Sequence, residues 1–484
     1  MNIVTVVEYL NRTKKYNIPS DYYSHIQIWR DWWKGFHEPF HQFVELSGDR
    51  HRTRKLYSLK MGKKVCEDWA SILLNEKTEI VIDDKASSLF VVGAEDEQKT
   101  GGVLGENDFW EQGNALVEKA FMSGTGAFVL KLSGMEVDGE IILKNTETRI
   151  RIDYLTAQQI IPITVRQGRI IDVAFASEVI EKGKSYIYLE THELTARGYQ
   201  ITNEYFNAQN DQLTPAPLPL GIAPVLYTGS DVPLFSIFSP NIVNTYDKAN
   251  GLGMSIYAHA IDNLMGVDLA FNNLNRDFKL GGKKVFYNQS LVYTDLDGNT
   301  VTPDDVMQQL FVQVGDALVD ENGKQMAVQE FNPALRVEEN RDGIQAQLDY
   351  LSFKCGLGTK HYQFNAGSIV TATQYMGDKQ ELVQNAAKHY IVIERALKGL
   401  VRAILWAGKE ILGQPVNPDA MVTVNFEDSY IIDKESERVR DLQEIRDGIM
   451  QKWEYRCKWY GEDEATAKAM IQPEDNDLMG FPGG

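Results

Sequence analysis

Cysteine is scarce in this chain. Cys66, Cys355 and Cys457 lie far apart, so neither a disulfide framework nor a paired-cysteine zinc site is visible, and a reducing cytoplasm fits. Long apolar runs are missing too. None reaches the roughly 20 residues needed to cross a bilayer, which argues against a membrane role. Met1 to Asn17 lacks the basic-then-apolar order of a secretory signal, so the sequons at Asn11 and Asn288 read as chance. Positive charge is in deficit: 49 Lys and Arg against 68 Asp and Glu leave a net charge of −19. Broad wrapping of nucleic acid needs Lys and Arg. The deficit disfavours that mode, yet it permits a passage through which nucleic acid slides without sticking. Acidity also simply keeps an assembly subunit soluble.

Motifs for nucleotide and acyl chemistry are likewise absent. No G-x-x-x-x-G-K-[ST] and no G-x-S-x-G occurs. Gly251-Leu252-Gly253 and Gly124-Thr125-Gly126 are fragments that never complete G-x-G-x-x-G. Asp295 to Asn299 opens like a calcium loop, but Gly298 comes too early for one and a β-turn fits better. His37-Glu38-Pro39-Phe40-His41 matches H-E-x-x-H. A zinc protease needs that pattern on a continuous helix, so that both imidazoles face one metal. Pro39 removes a helical hydrogen bond inside it, and no third ligand follows. A helix end in an aromatic cluster is the plainer reading. His25, His51, His192, His259, His361 and His389 show no ligand spacing. No metal or other cofactor is expected.

Hydrophobic residues make up 43% of the chain, enough for sizeable cores in about two to four regions. Residues 20–46 are dense in aromatics, among them Tyr22, Trp29, Trp32, Phe36 and Phe43, and anchor a helix to a core or a neighbour. The spacing predicts a helix over 52–77, with Leu56, Leu59, Cys66, Trp69 and Leu73 on its stripe, then a strand over 79–83 and a helix over 108–123. From Gly124 to about Val232 the period is two, and six strands are expected: 127–132, 140–143, 149–154, 170–174, 186–190 and 198–205. Pro215, Pro217, Pro219 and Pro224 make 211–224 an irregular connection. A helical tract covers about 241–280, bent or broken at its glycines. A β module fills 283–332, with hairpin signals at Asp297-Gly298 and Asn322-Gly323.

From Leu335 the pattern is a helix of about six turns, a loop from Gly356 to Ser368, and a helix of about ten turns. The first carries Ile344, Leu348 and Leu351 on one stripe. The second repeats apolar residues at Val383, Ala386, Tyr390, Ile393, Leu397, Leu400, Ile404 and Ile411. Such struts suit an elongated subunit of a larger assembly better than an enzyme closed round a pocket. A strand over 420–427, one amphipathic helix over 433–460, a short helix over 462–471 and an acidic, then Gly/Pro-rich tail complete the chain. Arg276, Lys279, Lys283 and Lys284 gather where the helical tract meets the β module. As helix C-terminal cations they are equally explained by the helix dipole.

Several segments resemble the portal proteins of long-tailed bacteriophages. They are Arg54 to Lys77 (RKLYSLKMGKKVCEDWASILLNEK), the Gly356-Leu357-Gly358 loop leading into Thr371-Ala372-Thr373, and Asp433 to Arg438 through Met450–Arg456 to Trp459-Tyr460-Gly461. The order helix, β module, helix, loop, long helix is the family's core order. The resemblance implies an α+β, elongated subunit. Its wing would be residues 1–251 and 372–430, its stem helices 252–281 and 335–356, its clip 282–334, its tunnel loop 357–371 and its helical crown 431–484.

It further implies a homo-oligomeric ring, usually of about twelve subunits, at the portal vertex of a capsid assembled in the host bacterial cytoplasm and carried in the virion. Double-stranded DNA enters and leaves through the ring. The partners implied are the terminase large subunit, the head-tail adaptor, and the major capsid and scaffolding proteins, with no catalytic residue in the chain itself. Lys360, His361, Gln363 and Asn365 become candidate DNA-facing residues. Gly356, Gly358 and Gly367 become loop hinges. Arg276, Lys279, Lys283 and Lys284 become rings of charge, and Asp297, Gly298, Asn322 and Gly323 the clip turns. Two other functions stand beside this one: a zinc-dependent hydrolase through His37, Glu38 and His41, and a capsid assembly component without a channel.

Overall fold

The computed structural model describes residues 3–47, 50–94, 100–209, 212–288, 293–294, 300–301, 311–314, 328–363, 372–426 and 434–471. The fold is α+β. Four helices, Tyr22–Lys34, Met61–Leu73, Phe109–Ser123 and Ala372–Glu410, pack round a core of large aromatics. Trp29, Trp32, Trp69, Phe109, Phe121 and Tyr257 are all less than 2% exposed. The aromatic cluster of 20–46 thus splits: Tyr22, Tyr23, Trp29 and Trp32 enter this core, while Phe36 and Phe43 stay at the surface.

The apolar stripe of Ala372–Glu410 behaves as its spacing predicts. Ala386, Ile393, Leu397, Leu400 and Ile404 are buried, and Val401 and Ala403 to Ala407 join them, so the second half is enclosed on several sides. Ser236 donates to the carbonyl of Ala396 at 2.8 Å and ties the helix to strand Phe235–Phe238. That strand, Gly126–Ser133 and Arg149–Thr156 form a three-stranded antiparallel sheet. Beside it lies an eight-stranded sheet built mainly from Ile160–Arg166, Arg169–Glu181, Lys184–Thr195 and Gly198–Gln209.

The expected helix over 52–77 is shorter than its stripe. Arg50–Lys55 is a strand paired with Gln42–Ser47, and the helix starts only at Met61. Lys60 sits at φ +56°, a left-handed turn that ends the strand connection and launches the helix. Leu56 and Leu59 fall in helical register without belonging to the helix. The tract 241–280 is α-helical only over Ile261–Leu280, after a single 3-10 turn at Ala258–Ala260. Lys248, Asn250 and Gly251 have positive φ and hold the preceding stretch irregular.

The single helix expected over 433–460 is two, Lys434–Arg446 and Lys452–Tyr460. Gly448 at φ +72° breaks it, and Gln451 and Glu454 form a capping box that restarts it. The last short helix is Glu464–Ala469. Strand Ile160–Arg166 is an addition to the expected set. In the proline-rich connection, Gln212–Pro215 pairs with Gly198–Gln209.

The two glycine fragments meet. An added Cβ on Gly124, at φ +86°, would lie 2.3 Å from the Gly253 carbonyl oxygen, and one on Gly253 would lie 2.3 Å from that of Gly124. Gly253 also donates its N–H to Thr125 Oγ1 at 2.9 Å. These glycines serve close backbone approach between two loops.

Candidate functional site

Ile261–Leu280 and Val337–Lys354 form an antiparallel helix pair. Three contacts fix its direction: His259 Nε2 with the Lys354 carbonyl at 2.7 Å, Gly266 against Gln347, and Asp277 with Arg336 and Asn340. Ile344, Leu348 and Leu351 are buried, as their stripe predicts. A helix of 20 residues spans about 30 Å, so the two ends are well separated.

At one end stands the β module. Lys284–Asn288 pairs with Phe311–Val314 and with Val328–Phe331. Arg276 and Lys279 are exposed on the last turns of Ile261–Leu280. Lys283 reaches Glu330 across the module at 2.8 Å, and Lys284 opens the first strand beside it. Arg336 clasps Asp277 through Nε at 3.1 Å and Nη2 at 2.9 Å, and Asn340 adds a third donor at 2.8 Å. These donors, Arg336 first, hold the Asp277 carboxyl below its ordinary range. The proposed clip turns Asp297, Gly298, Asn322 and Gly323 lie outside the described residues.

At the other end the chain leaves Val337–Lys354 through a Schellman turn. Gly356, at φ +79°, donates to the Phe353 carbonyl at 3.1 Å, and Leu357 to that of Ser352 at 2.9 Å. Gly358 follows at φ +85°. Trp69 Nε1 donates to the Cys355 carbonyl at 3.1 Å and Asn385 Nδ2 to that of Gly356 at 3.0 Å, so two other helices grip the turn. Burial pushes the Cys355 thiol up to about 12.

Beyond the turn, one carboxylate gathers the loop. Asp68 Oδ2 accepts from the Tyr362 hydroxyl at 2.8 Å and lies 3.2 Å from His361 Nε2. Its Oδ1 accepts from Lys64 Nζ at 2.5 Å. Burial pushes the Asp68 carboxyl up, but the donors His361, Lys64 and Tyr362 outweigh it and leave the group below its ordinary range. Gln345 Nε2 donates to the Tyr362 carbonyl at 2.8 Å. Of the loop residues singled out by sequence, Lys360 and Gln363 are exposed, and His361 is tied to Asp68. Asn365 and Gly367 lie outside the described residues. Sequence reasoning missed Asp68 as the loop's anchor. Its only local trace is Lys64 four residues earlier, and that spacing marks any exposed helix pair.

His37-Glu38-Pro39-Phe40-His41 is not a continuous helix. Glu38–His41 is four residues long, and His37 precedes it in extended conformation. His41 is fully buried, with Nε2 3.0 Å from Asp268 Oδ2 and Nδ1 accepting from the His37 N–H at 2.8 Å. Asp268 Oδ1 accepts from Leu59 N–H at 2.7 Å. Both His41 nitrogens are thus committed, and the residue joins Gln42–Ser47 to Ile261–Leu280. Among the described residues, no group of three His, Cys, Asp or Glu side chains is placed to hold a metal ion, and no helix is long and apolar enough to cross a membrane.

No protein-family model matches the chain, and no curated protein does.

Proposed function

We propose that the chain is a portal-type subunit: copies of it, about twelve to a ring, surround a channel at one capsid vertex through which double-stranded DNA is packaged and ejected. The observation that carries this reading is the antiparallel pair Ile261–Leu280 and Val337–Lys354, with a strand module at one end and the loop and long helix at the other. That is the stem, clip, tunnel loop and wing order that the resemblance implies. The same pair leaves Leu269, Phe278, Tyr350 and Phe353 about half exposed or more, a surface that neighbours in a ring would cover. Ring symmetry repeats Arg276 and Lys279 once per subunit and makes weak local charge strong.

In this reading the chain has no catalytic residue. A separate terminase hydrolyses ATP and docks at the clip, where the head-tail adaptor later replaces it. Major capsid and scaffolding proteins are further partners in this reading. The test is the mass of the purified protein by light scattering, with negative-stain images. A ring with a central hole is expected. A compact monomer at micromolar concentration, with and without salt, overturns the reading.

A further inference from the structure

The two sheets of the β-rich region approach each other beside the edge of the three-stranded one, where Leu130 donates its N–H to the Leu234 carbonyl at 2.7 Å and extends the pairing of Gly126–Ser133 with Phe235–Phe238. Beside that contact they enclose a cavity of about 500 Å³, within the range of about 300–1,000 Å³ typical of small-ligand sites. Leu130, Ile201, Leu226 and Leu234 give it an apolar wall, and Ile222 lies at its rim. Lys131, Asp153, Tyr188, Glu190 and Asn203 converge on it from four strands.

The charges here do not cancel. Lys131 Nζ donates to Glu190 Oε2, His192 Nε2 lies 2.5 Å from Glu190 Oε1, and the Tyr188 hydroxyl is 3.1 Å from Glu190 Oε2 and 2.7 Å from Asn203 Oδ1. Burial pushes the Glu190 carboxyl up, but Lys131 and His192 outweigh it and hold the group ionised. The charge of Lys131 is spent on that partner. Among the described residues, His192 Nδ1 is buried without a hydrogen-bond partner.

Asp153 remains. The register sets Asp153 opposite Val129 and Lys131 opposite Arg151, which makes Asp153 and Lys131 diagonal neighbours on one face. Among the described residues no hydrogen-bond donor reaches the Asp153 carboxyl. Burial pushes its pKa up, Lys131 offsets this in part, and Glu190 adds to it. A half-buried carboxyl with open acceptors beside an apolar wall is complementary to one ligand type. That ligand carries a positive donor group on a short hydrocarbon body.

We infer that this cavity binds an organic cation, a primary ammonium or guanidinium group seated on Asp153 with its aliphatic part against Leu226 and Leu234. A free amine and a Lys or Arg side chain reaching in from a partner protein share that chemistry. The inference does not depend on the channel reading.

Three probes of similar size and different charge test it: n-butylammonium, n-butanol and n-butyrate, titrated against the full chain by ligand-observed NMR. Butylammonium is expected to bind at least about tenfold more tightly than butanol, and butyrate not at all. Asp153→Asn, nearly isosteric, should erase that preference. Ile222→Trp, at the half-exposed rim, should block entry without touching the charges, and it keeps the test usable if Asp153→Asn fails to fold.

Nα-acetyl-lysine amide separates the sources. Tighter binding than butylammonium assigns the cavity to a partner's side chain, and weaker binding to a free amine. Equal binding of butanol or butyrate, no binding of any probe, or an unchanged preference in Asp153→Asn overturns the inference.

Discussion

The two ends of the helix pair Ile261–Leu280 and Val337–Lys354 are held by different physics. At the loop end the fastenings are buried. Leu351, Cys355 and Leu357 are at most 2% exposed, and the Trp69 indole, itself fully buried, donates to the turn. His389 packs on Trp69 and Phe121 at ring distances of 4.8 and 5.1 Å. At the strand-module end the fastenings among the described residues are ion pairs with at least one partner well exposed. The Arg336 side chain is 69% exposed, and Lys283 and Glu330 are 51% and 52% exposed. Buried packing contributes several kcal/mol per large side chain, whereas exposed pairs contribute little and are screened. The pair is therefore a strut fixed firmly in the body and lightly braced at its tip.

The largest effect should come from the fixed end. Trp69→Ala removes a fully buried indole and is expected to cost about 3–5 kcal/mol, read as a lowered denaturant midpoint. Trp69→Phe, which keeps an aromatic ring but loses the bond to Cys355 and part of the indole volume, should cost less, about 1–3 kcal/mol. If the two variants are equal, the hydrogen bond and not the packing holds this end.

Acid should also act on the fixed end. Burial pushes the His389 pKa down to about 3, against about 6.5 in an unfolded chain. The unfolded state then binds the extra proton first, so stability is complete above about pH 6.5 and is lost as pH falls toward 3. The loss is on the order of 5 kcal/mol in all. Denaturation curves between those limits should show it, and His389→Gln should flatten it. Equal slopes in both proteins would place the acid sensitivity elsewhere.

A smaller loss is expected at Asp68. Asp68→Asn keeps the shape but removes the charged acceptor of three donors, a cost of about 1.5–3 kcal/mol. The Asp68 pKa is lowered in the fold, so its contribution is present above the ordinary carboxylate range and lost as pH falls below it. Hydrogen exchange at 359–363 should rise in the variant. Unchanged exchange would show that the grip of Asn385 and Trp69 suffices.

The smallest effect belongs to the braced end. Arg336→Ala should lower stability slightly in dilute buffer and not at all in about 1 M salt, where the Debye length is about 3 Å. A salt-independent loss would mean that this end is held by packing after all.

Sequence patterns carried much of this. The stripe Ile344, Leu348, Leu351 and the repeat from Ala386 to Ile404 predicted the buried faces, because burial on a helix follows a period of about 3.6 residues. Period two found most strands of the β region. The same rule misled at Leu56 and Leu59. Strand pairing with Gln42–Ser47 and the left-handed turn at Lys60 override helical spacing there. It misled again at 433–460, where Gly448 carries a positive φ that its neighbours do not announce. Gln167-Gly168 and Lys182-Gly183 show the converse. All four have positive φ and turn the hairpins that join Ile160–Arg166 to Arg169–Glu181 and that strand to Lys184–Thr195. Gln-Gly and Lys-Gly are weaker turn signals than Asn-Gly.

By itself the sequence determined most element types, the apolar faces, the acidic balance and the glycine-bearing turn after Lys354, because these depend on local spacing and local chemistry. Tertiary structure alone decided which distant groups meet. Asp68 anchors a loop almost 300 residues away, Gly124 and Gly253 allow two loops to touch, His41 is committed to Asp268, and Asp153 faces a cavity with no donor on it among the described residues. None of these pairings has a spacing in the chain. Each exists because packing the helices and sheets brings the groups within hydrogen-bonding or contact range, where burial makes a partner, or the lack of one, count.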